Sequence, residues 1–136
     1  MRIDEVVAVS GLPGLFKIGA TRSNGLIVED IDTGKSRFVS VRKHQFTPLA
    51  TVAIYTDMDT VEIDHVFKAM LEKKDDTPIP SPKSSSKELF DYFSLILPDY
   101  DRDQVLISDV KKVIKWYLFL EERGLYPFES SLDEEE

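Results

Sequence analysis

Leu15-Phe16-Lys17-Ile18-Gly19-Ala20-Thr21-Arg22-Ser23-Asn24-Gly25-Leu26-Ile27-Val28-Glu29 decides how the first half of the chain reads. Phe16, Ile18 and Ala20 alternate with Lys17 and Gly19, the period-2 pattern of a half-buried strand with the first set inward. Gly19 inside that pattern marks a bulge or a close backbone approach. Asn24-Gly25 is a pair favoured in tight hairpin turns, and Leu26 to Ile31 resumes as the partner strand. A β-hairpin is therefore expected here.

Working outward, Val6 to Ser10 is a β-branched run closed by Gly11-Leu12-Pro13-Gly14, which reads as a strand and a loop. Downstream, Asp32-Thr33-Gly34-Lys35 is a turn and Ser36 to Arg42 a fourth strand. Lys43 to Leu49 breaks the pattern with polar residues and Pro48, which suggests a short helical turn before Thr51 to Tyr55 resumes as a fifth strand. Four meandering strands, a one-turn break and a short fifth strand follow the order of SH3-like barrels, whose last strand closes the sheet. The fold class expected is α+β with a mainly β N-terminal half: a five-stranded SH3-like barrel over residues 1–60, followed by a small helical domain.

The remainder reads as helix, linker and tail. Asp64 caps a helix from His65 to Lys74 whose Val66, Phe67, Met70 and Leu71 share one face, so residues 61–74 are expected to pack on the barrel. Pro78, Pro80 and Pro82 forbid helix within 75–85, a Pro/Ser-rich linker and the expected domain boundary. Residues 86–127 form the helical domain. Ser86 caps a helix Lys87 to Leu97 stopped by Pro98, Gln104 to Ile107 is a short extended piece, and Ser108 caps a helix Asp109 to Arg123 ended by Gly124. Residues 128–136 read as an acidic, disordered tail.

Composition narrows the function classes. The 136 residues are 42% hydrophobic and 31% charged, with no apolar run near the roughly 20 residues of a membrane span. The first residues, Met1-Arg2-Ile3-Asp4-Glu5, lack the features of a secretory signal, so a cytoplasmic setting is expected. No cysteine is present, which excludes disulfides, thiolate nucleophiles and cysteine-ligated metals. The net charge of −8 is uneven: residues 1–56 hold seven Lys/Arg against five Asp/Glu, and residues 57–136 hold ten against twenty. An acidic whole opposes general nucleic-acid affinity, yet a local basic face on the first half could still meet phosphates.

Catalytic signals are thin. His44 and His65 have no nucleophile or orienting acid in a recognisable arrangement, so no catalytic residue is assigned. Asp99, Asp101 and Asp103 imitate the start of a calcium loop, but Gln104 replaces the turn glycine and Val110 the bidentate glutamate; no metal or cofactor is expected. The glycines make no phosphate loop, because no Gly-Lys-Ser/Thr and no helix follow them. The cations Arg37, Arg42, Lys43 and His44, clustered around the fourth strand and the next turn, are the leading ligand-binding candidates, with Lys17 and Arg22 beside them. Phe16 and Phe38, at alternating strand positions, read as core rather than as stacking platforms. Trp116, Tyr117 and Phe119 on the last helix are candidates for a protein-interaction surface, with a core role as the competing reading.

The run Val7 to Phe16, the Gly25-Leu26-Ile27-Val28-Glu29 run, the turn at Asp32 to Lys35, the Val66-Phe67 helix and the segment from Pro98 through Ser108-Asp109-Val110-Lys111-Lys112 to Trp116-Tyr117 resemble an uncharacterised bacterial family of unknown function. The resemblance implies an SH3-like N-terminal domain and a helical C-terminal domain, and carries over no catalytic residue. At the level of fold analogy, the barrel is similar to Tudor, Sm-like and translation-associated modules. The expected function is a non-enzymatic binding module that contacts RNA or an RNA-protein assembly through a basic face. The alternative is a protein-interaction or dimeric adaptor with no nucleic-acid role.

Overall fold

The structure, a computed structural model, describes residues 1–129. Residues 130–136, most of the expected acidic tail, lie outside the described residues. The chain divides into two compact units: Met1–Thr51 together with the segment from Pro127 onward, and Val52–Tyr126. The division falls between Thr51 and Val52, and the proline-rich stretch at 75–85 lies inside the second unit, as does the helix at 61–74. The result is a mixed α+β chain, and none of its described helices is long and apolar enough to cross a membrane.

The first unit is built on a five-stranded antiparallel sheet: β1 (Val6–Val9), β2 (Phe16–Arg22), β3 (Gly25–Asp30), β4 (Ser36–Ser40) and β5 (Phe46–Pro48), in the order β4-β3-β2-β1-β5. It is not closed; β4 and β5 are its edges. This corrects the expectation that residues 51–55 close a barrel. The fifth strand lies within the stretch read as a helical break, where Val7, Ala8 and Val9 pair with Pro48, Thr47 and Phe46. Pro48 is tolerated because an edge strand needs ladder donors on one side only. The helical turn follows it, at Leu49–Thr51.

A second correction concerns β2. Ile18 pairs with Val28 but Thr21 pairs with Leu26, so Gly19 and Ala20 together stand opposite Ile27 and form a bulge. Inward alternation therefore stops at Ile18, and Ala20 is exposed. A Cβ on Gly19 would stand 2.7 Å from the Ile27 carbonyl oxygen, which explains glycine at the bulge. The bulge also moves the turn: Arg22 pairs with Gly25, leaving Ser23 and Asn24 as the two-residue loop and Gly25 as the first residue of β3. Gly25 is not among the glycines with positive φ, so the Asn-Gly turn expected from sequence is not the one formed.

The register gathers Val7, Val9, Phe16, Val28 and Val39 into one core, with Leu12, Ile18, Leu26 and Phe46 packed against it. These residues share one face of the sheet because side chains alternate along each strand. The end of the described chain is held in this unit by the Glu129 amide, which donates to the Met1 carbonyl at 3.0 Å.

In the second unit Ala53–Tyr55, here β6, pairs with β7 (Thr60–Glu62) in a two-stranded sheet. Val61 is the one apolar residue of β7, too little alternation to be read as a strand. The hairpin runs straight into α1 (Ile63–Lys73), followed by α2 (Ser86–Ile96) and α3 (Ile107–Glu122). Ser85 caps α2, its hydroxyl oxygen accepting the Glu88 amide at 3.2 Å. The Asp109 carboxylate accepts the Leu106 amide at 2.9 Å at the start of α3, and Gly124 ends that helix at φ 67°. The piece expected to be extended from Gln104 to Ile107 forms no strand: the Asp101 carboxylate accepts the amides of Asp103 and Gln104 at 2.8 and 3.2 Å and closes a turn at 102–104, Leu106 keeps an extended backbone, and Ile107 already opens α3.

Phe67, Tyr117 and Tyr126 form an aromatic triad with ring centroids 5.5 to 5.8 Å apart. The Tyr117 hydroxyl donates to Glu121 and the Tyr126 hydroxyl to Asp64, each at 2.8 Å. Tyr92 is buried with them in the unit, and its hydroxyl has no hydrogen-bond partner among the described residues. Burial first, and the Glu121 charge second, push its pKa from 10.0 up to about 12. The folded state thus favours the neutral phenol, and the linked stability, present below the unfolded value of 10.0, is lost as pH rises toward 12. Tyr92→Phe is expected to leave neutral-pH stability equal or higher by up to ~1 kcal/mol, because an unsatisfied buried hydroxyl is removed. It should also shallow the alkaline decline of the urea midpoint; a lower midpoint at neutral pH would contradict the assignment.

Candidate nucleic-acid interface

The cations expected to bind a ligand are divided by the register. Arg22, Gly25 and Ser40 lie in one row across β2, β3 and β4, and neighbouring strands are about 4.8 Å apart, so Arg22 and Ser40 stand roughly 10 Å from each other. The Val41 amide donates to the Asn24 carbonyl at 3.1 Å, and the Arg42 amide to the Ser40 hydroxyl at 3.1 Å. These bonds bring Arg42, and Lys43 after it, to the corner where the β2–β3 hairpin ends. Arg37 stands further back on β4, paired with Val28. Among the described residues, Arg22, Arg37, Arg42 and Lys43 form no ion pair and all four are exposed.

Lys17 and His44 separate from this group. Lys17 sits at the opposite end of β2, about 17 Å along the strand from Arg22, with its Nζ 3.8 Å from the Glu5 carboxylate. Glu5 is held below the usual carboxylate range mainly by the Arg2 amide, with Lys17 and Arg2 adding their charges. His44 is a structural pin. Its Nδ1 lies 2.7 Å from the Ser10 carbonyl, which can only accept, so that nitrogen carries the proton. The Ser10 hydroxyl accepts the Gln45 amide at 2.7 Å and completes the clasp ahead of β5.

Phe38 departs from its expected core position. It pairs with Ile27, on the sheet face opposite the Val28 and Val39 core, and is 45% exposed. Its ring lies against Gly25, where a Cβ would stand 2.6 Å from Phe38 Cζ and 2.8 Å from Cε1. Val41, 54% exposed, follows at the strand end. The corner therefore presents one aromatic ring and one aliphatic side chain among unpaired cations. The signal available in sequence was Gly25 itself, a strand glycine that accommodates a ring, which the Asn-Gly pair disguised as a turn residue.

The helix candidates lie elsewhere. Tyr117 is fully buried in the aromatic triad, which corrects its assignment to an interaction surface, while Trp116 and Phe119 are half-buried. The Arg123 guanidinium covers the Phe119 ring at 3.6 Å from its centroid.

Comparison with known proteins follows the same division of the chain. Residues 52–120 match Domain of unknown function (DUF6852), and residues 3–49 match Domain of unknown function (DUF5606). A solution NMR structure from Bacteroides vulgatus is similar at TM-score 0.76 and 35% identity, over 93% of this chain and 91% of that one. No curated protein matches.

The contact between Gly25 and Phe38 has a direct consequence. Gly25→Ala would drive a methyl group into the Phe38 ring and the Val39 carbonyl, an overpacking expected to cost about 1–3 kcal/mol in urea denaturation. Unchanged stability would show that the ring is not seated on Gly25.

Proposed function

Since the chain belongs to the family described as Domain of unknown function (DUF6852), we propose its role from the site: a non-enzymatic binding module whose first unit contacts RNA or an RNA-protein assembly. The observation that carries this reading is the juxtaposition of Arg22 and Arg42, two exposed guanidinium groups without carboxylate partners at one sheet corner. Guanidinium forks match phosphate geometry, and an unpaired cation keeps its full charge for a ligand. Lys43 follows Arg42 at the same corner, whereas Arg37, paired with Val28, stands on the other face of the sheet. The sheet order β4-β3-β2-β1-β5 favours reading the first unit as an open SH3-like barrel, and a cytoplasmic setting belongs to the same proposal.

A protein-interaction role is the second reading. It is favoured by the β6–β7 hairpin of the second unit, where Met58, between Asp57 and Asp59, is 91% exposed and Tyr55 47% exposed.

Titration of a fluorescent single-stranded RNA across a salt series tests the first reading. Affinity should fall linearly on a log-log plot, and Arg22→Ala with Arg42→Ala should lower the slope by about 1.4, at ~0.7 per phosphate contact on a single strand. Absence of binding at low salt, or binding indifferent to the double substitution, removes the nucleic-acid reading.

A further inference from the structure

Resting on the reading above, we propose that the corner selects unpaired nucleotides, with one base stacked on the Phe38 ring beside the free edge of β4 and the flanking phosphates held by Arg22 and Arg42.

Two features of β4 and the geometry of nucleic acids converge on a stacked base. Phe38 is 45% exposed although the Cζ–Cε1 end of its ring is seated on Gly25, so the residue remains open to a ligand. A planar base is the complementary occupant between cations. Every base has a π-face, and its phosphates carry the charge that Arg22 and Arg42 lack a partner for.

The backbone supplies the second feature. The Val41 amide bonds the Asn24 carbonyl, and the Asp30 amide bonds the Lys35 carbonyl at 2.8 Å. In an antiparallel ladder hydrogen-bonded positions alternate, so Lys35, Arg37, Val39 and Val41 turn their polar groups toward β3. Ser36, Phe38 and Ser40 then turn theirs to the open edge. The Ser40 carbonyl is occupied by the amides of Lys43 and His44, at 3.2 and 3.1 Å. The N–H and C=O of Phe38 remain as one donor and one acceptor next to the ring. That pair can hydrogen-bond the edge of a splayed base, which an apolar peptide side chain would leave unsatisfied.

Duplex geometry is the third consideration. In a paired helix the faces of the bases are stacked on one another and closed to a side chain, so a ring contributes only to single strands, loops or ends. The cations alone would not discriminate between paired and unpaired RNA.

Phe38→Leu keeps an apolar group over Gly25 but deletes the ring, and Phe38→Trp enlarges it. With oligouridine as probe, Phe38→Leu should weaken binding roughly tenfold at unchanged salt slope, while Phe38→Trp retains or strengthens it. A duplex of equal length should bind more weakly than the single strand, and thermal melting of Phe38→Leu checks that the sheet is intact. In amide NMR spectra, Phe38 and Ser36 should shift on addition of oligouridine. If Phe38→Leu binds as the wild type while the Arg22/Arg42 double substitution loses affinity, the stacking inference is overturned and the electrostatic reading survives. Equal affinity for duplex and single strand overturns it too, as does tighter capture of an extended acidic peptide at the same amides. Failure of the wild type to bind any RNA overturns both proposals together.

Discussion

The register of β3 between β2 and β4 is the constraint on which the first unit depends. Val28 stands between Ile18 and Arg37, and Leu26 between Thr21 and Val39. Because side chains alternate with period 2, a one-residue slip would turn Val28 out of the core and Ile27 into it. The bulge at Gly19 and Ala20 absorbs the extra residue of β2. Without it Thr21, not Arg22, would face Gly25, and the cation would lie in the loop. One local irregularity thus serves both the core and the corner.

The second unit solves a different problem. Three helices of 11 to 16 residues and one short hairpin must bury several tyrosines without stranding their hydroxyls. Asp64 and Glu121 accept two of them from within the helices, and the Tyr92 hydroxyl is left unmatched among the described residues. Two of the carboxylates that make this half of the chain acidic, the half-buried Asp64 and Glu121, are therefore tied to buried tyrosines.

Legibility varied with the range of the interaction that decides each element. The starts of α2 and α3 were readable to within a residue or two, because caps and C-terminal glycine act over a single turn. The start of α1 was two residues later in expectation than in structure for a related reason: Asp64 resembles a cap but its carboxylate accepts from Tyr126, 62 residues away. β5 was hidden because Phe46-Thr47-Pro48 carries almost no strand pattern and is a strand only by pairing with β1. Among the site residues, each cation was visible as a cation, yet the separation of Lys17 from Arg22 followed from their opposite ends of β2, and the role of His44 from its bond to Ser10.

The sequence by itself determined the existence of β1 through β4, the three helices and the absence of thiol chemistry, since each rests on local propensity, caps or composition. Only the tertiary structure decided which strand is fifth, that the sheet stays open, and that Phe38 faces outward over Gly25. Those outcomes depend on pairing between residues distant in the chain, and a period-2 pattern states that a strand has two faces without saying which one another element will cover.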